Sequence, residues 1–139
     1  MKVSTRGRYA LRMMIDIAEN SDNHECVPIR MISERQEISV KYLEQIVTRL
    51  TRAELLRSVR GAGGGYVLTR APEEYTVGEI LRAIEGKLAP TACLEKDINQ
   101  CERYDICKTV DFWKGLHKVI NEYVDSVTLE DLVSTDKIK

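Results

Sequence analysis

The sequence predicts a mainly α-helical fold, in which a winged helix-turn-helix domain with a small β-hairpin wing precedes a long C-terminal dimerisation helix. Two consecutive segments, 28–36 and 39–53, carry apolar residues at helical spacing and are separated by a tight turn. Two short β-prone stretches follow, and the glycine-rich connection between them is typical of a hairpin. In residues 106–127, apolar side chains alternate at steps of three and four. The predicted fold class rests on these three observations.

The composition indicates one folded domain, with at most a short extension, in a chain of 139 residues. Apolar residues make up 43% of the chain, which is enough for a hydrophobic core. The N-terminus lacks the apolar run of a signal peptide, and no stretch approaches the roughly 20 apolar residues of a membrane span. We therefore expect a cytoplasmic protein that makes no contact with membranes and keeps its thiols reduced.

The net charge of −1 hides an asymmetry between the two halves of the chain. Residues 1–70 contain 12 Lys and Arg against 8 Asp and Glu, whereas residues 71–139 contain 9 against 14. A basic half joined to an acidic half is typical of a polyanion-binding module attached to a sensor or assembly module. A chance division of a near-neutral protein would give the same difference.

The first two helices are predicted at residues 4–20 and 28–36. The first has an apolar stripe at helical spacing, and the polar segment 21–24 ends it. The second begins with Pro28, a residue that is favoured in the first turn of a helix. Residues 37–38 then form a tight turn, which places a third helix directly after the second.

The third helix, from an N-cap at Ser39 to about Ala53, has one apolar and one polar face. Its buried side is predicted to contain Leu43, Ile46, Val47 and Leu50. The opposite side offers Glu44 and Gln45, which can accept from cytosine or pair with adenine in a DNA major groove. This helix is therefore a candidate DNA-reading helix, although an ordinary solvated helix face has the same composition.

Residues 55–60 and 66–69 are predicted to pair as the strands of a hairpin, the wing, joined by the glycine-rich residues 61–65. Glycine permits positive φ and lets backbone amides approach a ligand closely. Arg57 and Arg60 are placed to contact a DNA backbone or minor groove. A nucleotide phosphate loop is excluded because no Lys-Ser/Thr pair follows the glycines and a strand, not a helix, comes next.

Three of the four cysteines, Cys93, Cys101 and Cys107, lie in a polar segment between a capped helix at residues 76–86 and the last helix. Such a segment buries little apolar surface, so a metal centre bound by thiolates would supply the free energy that orders it. Three thiolates suit iron or zinc and leave a position for one further ligand. Three unrelated free thiols or a disulfide are the alternatives.

The last helix is predicted from about Ile106 to Ser126, with an apolar row that includes Trp113, Ile120 and Val124. Further apolar residues beside this row widen the apolar face beyond what one surface helix needs. We therefore expect a homodimer in which the row forms the seam. A C2 dimer would hold two reading helices about 34 Å apart on a pseudo-palindromic operator. Packing of the helix against its own winged domain is the alternative.

Four motifs and the order of the elements resemble the IscR-type bacterial transcription regulators. The motifs are RGRYA at residues 6–10, ISERQ at residues 32–36, YLEQ at residues 42–45 and VRGAGGGY at residues 59–66. The resemblance, which extends to about Val133, implies a homodimeric winged-helix protein that binds a [2Fe–2S] cluster through three cysteines. It also implies control of iron–sulfur cluster assembly genes, with the assembly machinery as the cluster donor.

Carried over to this chain, the resemblance also implies which residues contact DNA and which bind the cluster. The DNA-binding set is Ser39, Tyr42, Glu44, Gln45, Arg60 and Gly61. The cluster ligands are Cys93, Cys101 and Cys107. The chain then divides into a winged helix-turn-helix domain at 1–86, a cysteine loop at 87–106, and a dimerisation helix with its tail at 107–139.

The chain departs from the family in two respects. The cysteine spacing has a longer first gap than is usual, and Val110 occupies the position of the family's histidine ligand. We take Asp111, at i+4 from Cys107 on the predicted helix, as the candidate fourth ligand. Alternatives are Glu95, Glu102, Asp105, His117 and a residue of the partner chain. A carboxylate is a hard donor for soft iron, so the cluster should be easy to lose.

Ligand-dependent DNA recognition is the function that the sequence predicts, and no nucleophile–base pair or phosphate loop suggests an enzyme. A zinc-bound structural module that uses the same thiolates is one alternative. A winged-helix repressor of cysteine metabolism, or of a nitric-oxide or redox response, is another. In a simple repressor the cysteines would be incidental.

Overall fold

The computed structural model describes residues 2–22 and 25–135. The elements are α1 (Thr5–Asn20), α2 (Ile29–Gln36), α3 (Val40–Arg52), β1 (Leu56–Val59), β2 (Gly65–Leu68), α4 (Val77–Glu85), α5 (Val110–Ser126) and α6 (Leu129–Val133). Single 3₁₀ turns lie at Pro72–Glu74, Ala92–Leu94 and Tyr104–Ile106.

The predicted fold class is confirmed. Residues 23–24 of the expected turn and 136–139 of the tail lie outside the described residues. In the part of the chain that is described, no helix is both long enough and apolar enough to cross a membrane.

Short polar side chains fix where the helices begin. The Ser39 hydroxyl accepts from the Tyr42 amide at 3.2 Å and starts α3, as the sequence predicted. Thr76 and Glu79 form a capping box at the start of α4, the helix that the sequence predicted to be capped, with bonds of 3.0 and 3.2 Å. Between α2 and α3, Glu37 adopts a left-handed backbone with φ of 56°, and Ile38 is buried behind it. The two helices of the helix-turn-helix unit are therefore set by local sequence.

The winged domain has one hydrophobic core, and α1 runs through it. Met13, Met14 and Ile17 of α1 have no exposed surface. The buried side of α3 consists of Leu43, Ile46, Val47 and Leu50, as predicted. Burying that face leaves the other side of α3 in solvent.

Asp16 is a charged residue inside this core, with 1% of its surface exposed. Arg35 of α2 binds both of its oxygens, at 2.7 and 3.0 Å, and the Gln36 amide donates to it at 2.9 Å. Asp16 raises the pKa of Arg35 through this hydrogen bonding. A buried carboxylate requires such partners because burial removes its hydration. The network therefore fixes α2 against α1, and sequence analysis did not find it.

The long helix begins four residues later than the sequence predicted. Ile106 belongs to a 3₁₀ turn and is 66% exposed, while Cys107 has an extended backbone. Helix α5 starts at Val110. Because Cys107 precedes the helix, the i+4 argument for Asp111 as its neighbour is wrong.

Two of the three predicted seam residues have packing partners within the chain. Ile120 and Val124 pack against an apolar cluster of Val77, Leu81 and Leu88 at α4 and the segment after it. Trp113, the third seam residue, is half-buried and makes an edge contact with Phe112. The alternative of packing within the chain therefore holds for Ile120 and Val124. The periodic pattern placed these two residues on one packed face of α5, and within the described residues that face is half-buried against α4 and Leu88.

Polar contacts reinforce the joint between α4 and α5. The Arg82 guanidinium donates to both carboxylate oxygens of Asp125, at 2.8 and 2.9 Å, and to the Asn121 side chain at 2.8 Å. This pairing lowers the pKa of Asp125. After α5 the chain returns to the winged domain, where the Val77 amide donates to Val127 O at 2.8 Å and the Leu129 amide to Tyr75 O at 3.0 Å. The C-terminal half of α5 is thus attached to the domain.

Replacing the buried carboxylate should weaken the fold. In Asp16→Asn the side chain keeps its size but loses the charge that Arg35 requires, so the free energy of unfolding should fall by about 1.5–3 kcal/mol. Urea denaturation measures this change. The control is Glu19→Gln, an exposed charge on the same helix, which should stay within about 0.5 kcal/mol of the parent. Equal stability of Asp16→Asn and the parent would contradict the role given to the network.

Candidate nucleic-acid interface and cysteine loop

The exposed face of α3 carries the side chains that sequence analysis assigned to base recognition. Glu44 and Gln45 are exposed, as is the Ser39 hydroxyl at the start of the helix. Ser39 accepts a hydrogen bond as the N-cap, so its own proton remains available for another acceptor. Tyr42 is half-buried and packs edge-to-face on Tyr9, with ring centroids 5.6 Å apart. The candidate reading face is therefore open to solvent and held by the core beneath it.

The wing is a two-stranded antiparallel hairpin in which Leu56 pairs with Leu68 and Val59 with Gly65. In its turn the Gly64 amide donates to Gly61 O at 3.0 Å, and Gly61 has φ of 108°, a conformation that favours glycine. A Cβ atom at Gly64 would lie 2.3 Å from Val59 O. This turn therefore requires glycine at two of its positions.

The wing is also held at its side by the segment before α2. Val27 and Tyr66 exchange two backbone hydrogen bonds of 2.9 Å, and the Cys26 thiol lies 2.9 Å from Gly63 O. The start of α2 and the wing enclose a groove of about 640 Å³. This attachment joins the wing to the helix-turn-helix unit.

Two exposed arginines line this groove, Arg30 from α2 and Arg60 from the wing. Neither guanidinium group has a hydrogen-bond or ion-pair partner among residues 2–22 and 25–135. Arg57 lines a different cavity of about 520 Å³, beside Arg70. Sequence analysis missed Arg30 because thirty residues separate it from Arg60, and only the wing's attachment brings them to one groove. Two unpaired guanidinium groups at one groove suit a phosphate backbone.

Arg49, on the flank of α3, has a structural role. Its guanidinium donates to Ile84 O of α4 at 2.8 Å. The reading helix is therefore connected to α4, and α4 is in turn connected to α5 through Arg82.

The cysteine loop contains free thiols in an incomplete arrangement. Cys93 lies in the 3₁₀ turn Ala92–Leu94, Cys101 is exposed, and Cys107 lies three residues before the start of α5. Cys93 and Cys101 line one cavity of about 420 Å³. Within residues 2–22 and 25–135, no three His, Cys, Asp or Glu side chains are close enough together to hold a metal ion. The loop thus supplies soft donors without bringing them together.

Threonine hydroxyls lie beside two of the three sulfurs. Thr91 Oγ1 is 3.0 Å from Cys93 Sγ, and Thr109 Oγ1 is 3.3 Å from Cys107 Sγ. The Thr109 hydroxyl, followed by the Thr109 backbone amide, lowers the pKa of the Cys107 thiol. A lower pKa favours the thiolate, which is the form that binds metals.

Two buried side-chain nitrogens in the described part of the chain have no hydrogen-bond partner, Asn99 Nδ2 and His117 Nδ1. Asn99 lies in the cysteine loop, where its Oδ1 accepts from the Cys101 amide at 2.9 Å. His117 lies on α5, which the Cys93 turn contacts. Unsatisfied buried polar atoms call for a partner such as water or an ion. The three free thiols are therefore the soft donors of this loop, and the structure does not bring them together.

An exposed reading helix, a glycine-rich wing and an unpaired arginine groove together define a winged-helix regulator of transcription that binds DNA. Residues 3–135 match the Rrf2 family, which is described as an iron-dependent transcriptional regulator. The chain belongs to this family.

Individual relatives agree with this assignment. The chain is 41% identical over 138 residues to the HTH-type transcriptional regulator IscR of Sodalis glossinidius, a match that covers 99% of this chain and 82% of that protein. The structure of T. potens IscR has a TM-score of 0.76 and 35% identity, with 99% and 94% covered. CymR, the global cysteine regulator of B. subtilis, has a TM-score of 0.79 and 36% identity, with 98% and 99% covered. The resemblance to IscR-type regulators is confirmed, and each of these relatives is named as a regulator.

Removing the wing arginine should weaken operator binding. Arg60→Ala is expected to cost about 1–3 kcal/mol of binding free energy because a base or phosphate contact is lost. Fluorescence anisotropy across a salt titration measures the affinity. Lys118→Ala removes one charge from α5, far along the chain from the wing, and should leave the affinity unchanged. Parent-like binding by Arg60→Ala at every salt concentration would remove Arg60 from the interface.

Proposed function

We propose that this regulator senses the cell's iron–sulfur cluster status through a [2Fe–2S] cluster and controls genes of iron–sulfur cluster biogenesis. The observation that carries the proposal is the loop between α4 and α5, which contains three free thiols within fifteen residues, Cys93, Cys101 and Cys107. Relatives named IscR and the iron-dependent description of the family support the same assignment. The cellular machinery that assembles clusters would be the donor.

Cys93, Cys101 and Cys107 would hold the cluster, which supplies a redox-active group whose presence depends on iron and oxidants. The thiols themselves are placed by the chain around them. Thr91 and Thr109 contact two of the sulfurs, and the loop is attached to α5 where Asn121 donates to Leu88 O at 3.1 Å. Ordering of the loop would therefore act on α5.

Contacts between helices connect the loop to the reading face. Asp125 of α5 pairs with Arg82 of α4, and Ile84 of α4 accepts from Arg49 of α3. A change in the position of α5 would reach α3 through these two bonds. A bound cluster can shift this equilibrium only by as much as it binds one arrangement better than the other.

Control of cysteine metabolism is a second candidate function. It is favoured by the similarity to CymR over nearly the whole of both chains. Under this alternative the loop cysteines would bind no cluster. A zinc-bound loop is a further form of the same site, and it would be colourless.

Cysteine replacements separate these functions. Cys93→Ala, Cys101→Ala and Cys107→Ala should each abolish the visible absorption of protein purified without oxygen, because two thiolates are too few to hold two irons. Cys26→Ala is the matched control and should keep the spectrum, since Cys26 lies at the wing. Absorption spectra with iron and sulfide analysis measure the result. Parent protein that contains zinc, or no metal, would refute the cluster function.

We also propose a homodimer that binds a pseudo-palindromic operator, formed through a row on α5 different from the one the sequence suggested. Phe112, Leu116, Val119 and Tyr123 follow one another at helical spacing and are 65%, 36%, 60% and 68% exposed. An exposed row of large apolar side chains marks an interaction surface. A second copy presents the same row, so a two-fold axis would cover both.

A charge in this row should separate the dimer. Val119→Glu would bury an unpaired carboxylate at the interface, so the protein should sediment as a folded monomer with weaker operator binding. Lys118→Glu is the control, because Lys118 lies on another face of α5 and is 75% exposed. Analytical ultracentrifugation measures both variants. A dimeric Val119→Glu protein would show that this row is not the interface.

A further inference from the structure

The groove between the start of α2 and the wing is positively charged. Its lining consists of residues 28–30, 58–62 and 64–66, and none of these described residues is Asp or Glu. Arg30 and Arg60 are its charged side chains, and both are exposed. An anion that enters the groove is attracted by both guanidinium groups and repelled by no carboxylate of the lining. The groove therefore suits a phosphate backbone better than a neutral ligand.

Two hydroxyl groups add neutral donors to the same groove. Ser58 and Tyr66 are directly opposite each other on the two strands, so their side chains lie on one face of the hairpin. Both residues line the groove, and neither hydroxyl has a hydrogen-bond partner in residues 2–22 and 25–135. In protein–DNA complexes, serine and tyrosine hydroxyls donate to phosphate oxygens as arginine does. Four side chains of this groove can therefore donate to phosphate.

Backbone contacts fix the width of the groove. A Cβ atom at Gly65 would lie 2.3 Å from Val27 O, so strand β2 lies directly against the segment before α2. Arg30 follows Val27 by three residues, and Arg60 directly follows the strand that pairs with β2. The two segments that carry the arginines are thus held in place before DNA binds. Binding to a preformed site costs less entropy than binding to one that must first be ordered.

We propose that this groove receives one strand of the DNA backbone and that Arg30 binds a phosphate of that strand. In a helix-turn-helix protein the first helix crosses the backbone while the second lies in the major groove, and α2 is the first helix here. The strand beside that major groove would then pass between α2 and the wing. Arg30 would add affinity without reading bases, because phosphates carry no sequence information directly. The assignment rests on DNA binding and is independent of the proposed cluster.

Arg57 offers a matched comparison within the wing. It is adjacent to Ser58 in β1, and successive side chains of a strand point to opposite faces of the hairpin. Arg57 lines the separate cavity beside Arg70. The same charge, one residue away from the groove face, therefore lies outside the groove.

Ethylation of DNA phosphates tests the contact directly. The probe is a duplex that the parent protein, purified without oxygen, selects from a random library. Ethylation removes the charge of a phosphate, so it weakens parent binding wherever the protein contacts that phosphate. Arg30→Ala should become insensitive to ethylation at a position that the parent requires, because the contacting group is gone. Arg57→Ala should keep the pattern of the parent.

Affinity measurements give a second, independent result. Arg30→Ala should bind the selected duplex about tenfold more weakly, as expected for a lost hydrogen bond between charged groups. The slope of log affinity against log salt should fall by about 1, while the preference over a scrambled duplex stays unchanged. Arg30→Lys keeps the charge and should keep the slope. The Arg30 guanidinium has no partner within the described residues, so both variants should stay folded by circular dichroism.

Each outcome decides the assignment. An unchanged ethylation pattern in folded Arg30→Ala, or loss of the same contact in Arg57→Ala, would overturn it. A lower preference for the selected duplex with an unchanged salt slope would make Arg30 a base-reading residue and overturn the phosphate role. Parent protein that selects no duplex would refute DNA binding, and this assignment with it. Protein without a cluster that shows the expected ethylation result would support the groove while refuting the cluster function.

Discussion

A carboxylate inside an apolar core demands partners, and in this protein the partners hold the first helix of the helix-turn-helix unit against α1. Asp16 has almost no contact with solvent, so Arg35 and Gln36 must stay beside it. Those two residues form the last turn of α2, directly before the turn that leads into the reading helix. The network therefore fixes the end of α2 against α1, at the point where the turn into α3 begins, while α3 is held by its own buried face.

Helix α4 connects the parts that would otherwise act separately. One side of it receives Arg49 from the reading helix, and the other receives Ile120 and Val124 from α5. The cysteine loop begins at its C-terminal end. Helix α4 is therefore the element common to the reading helix, the cysteine loop and α5.

Local chemistry made much of the fold predictable. Ser39 and Thr76 cap their helices because a short polar side chain before an apolar run has few other uses. Partners distant in sequence were not predictable in the same way. The row of Ile120 and Val124 is apolar whether a second chain or α4 covers it, and Asp16 lies 19 residues from the arginine that neutralises it. His117 matched the phase of that apolar row, so its unsatisfied nitrogen became visible only in three dimensions.

The manner in which α5 is attached has a mechanical consequence. Its C-terminal half is fixed to α4 through Asp125, Asn121 and the backbone bond at Val127, whereas its first turns carry the exposed Phe112. The cysteine loop runs from the end of α4 to the start of α5. It therefore connects the two helices at the end of α5 that α4 does not hold. The angle between α4 and α5 therefore depends on how well this loop is ordered. A more ordered loop would fix the angle of α5 relative to α4, while the contacts of Asp125, Asn121 and Val127 stay in place.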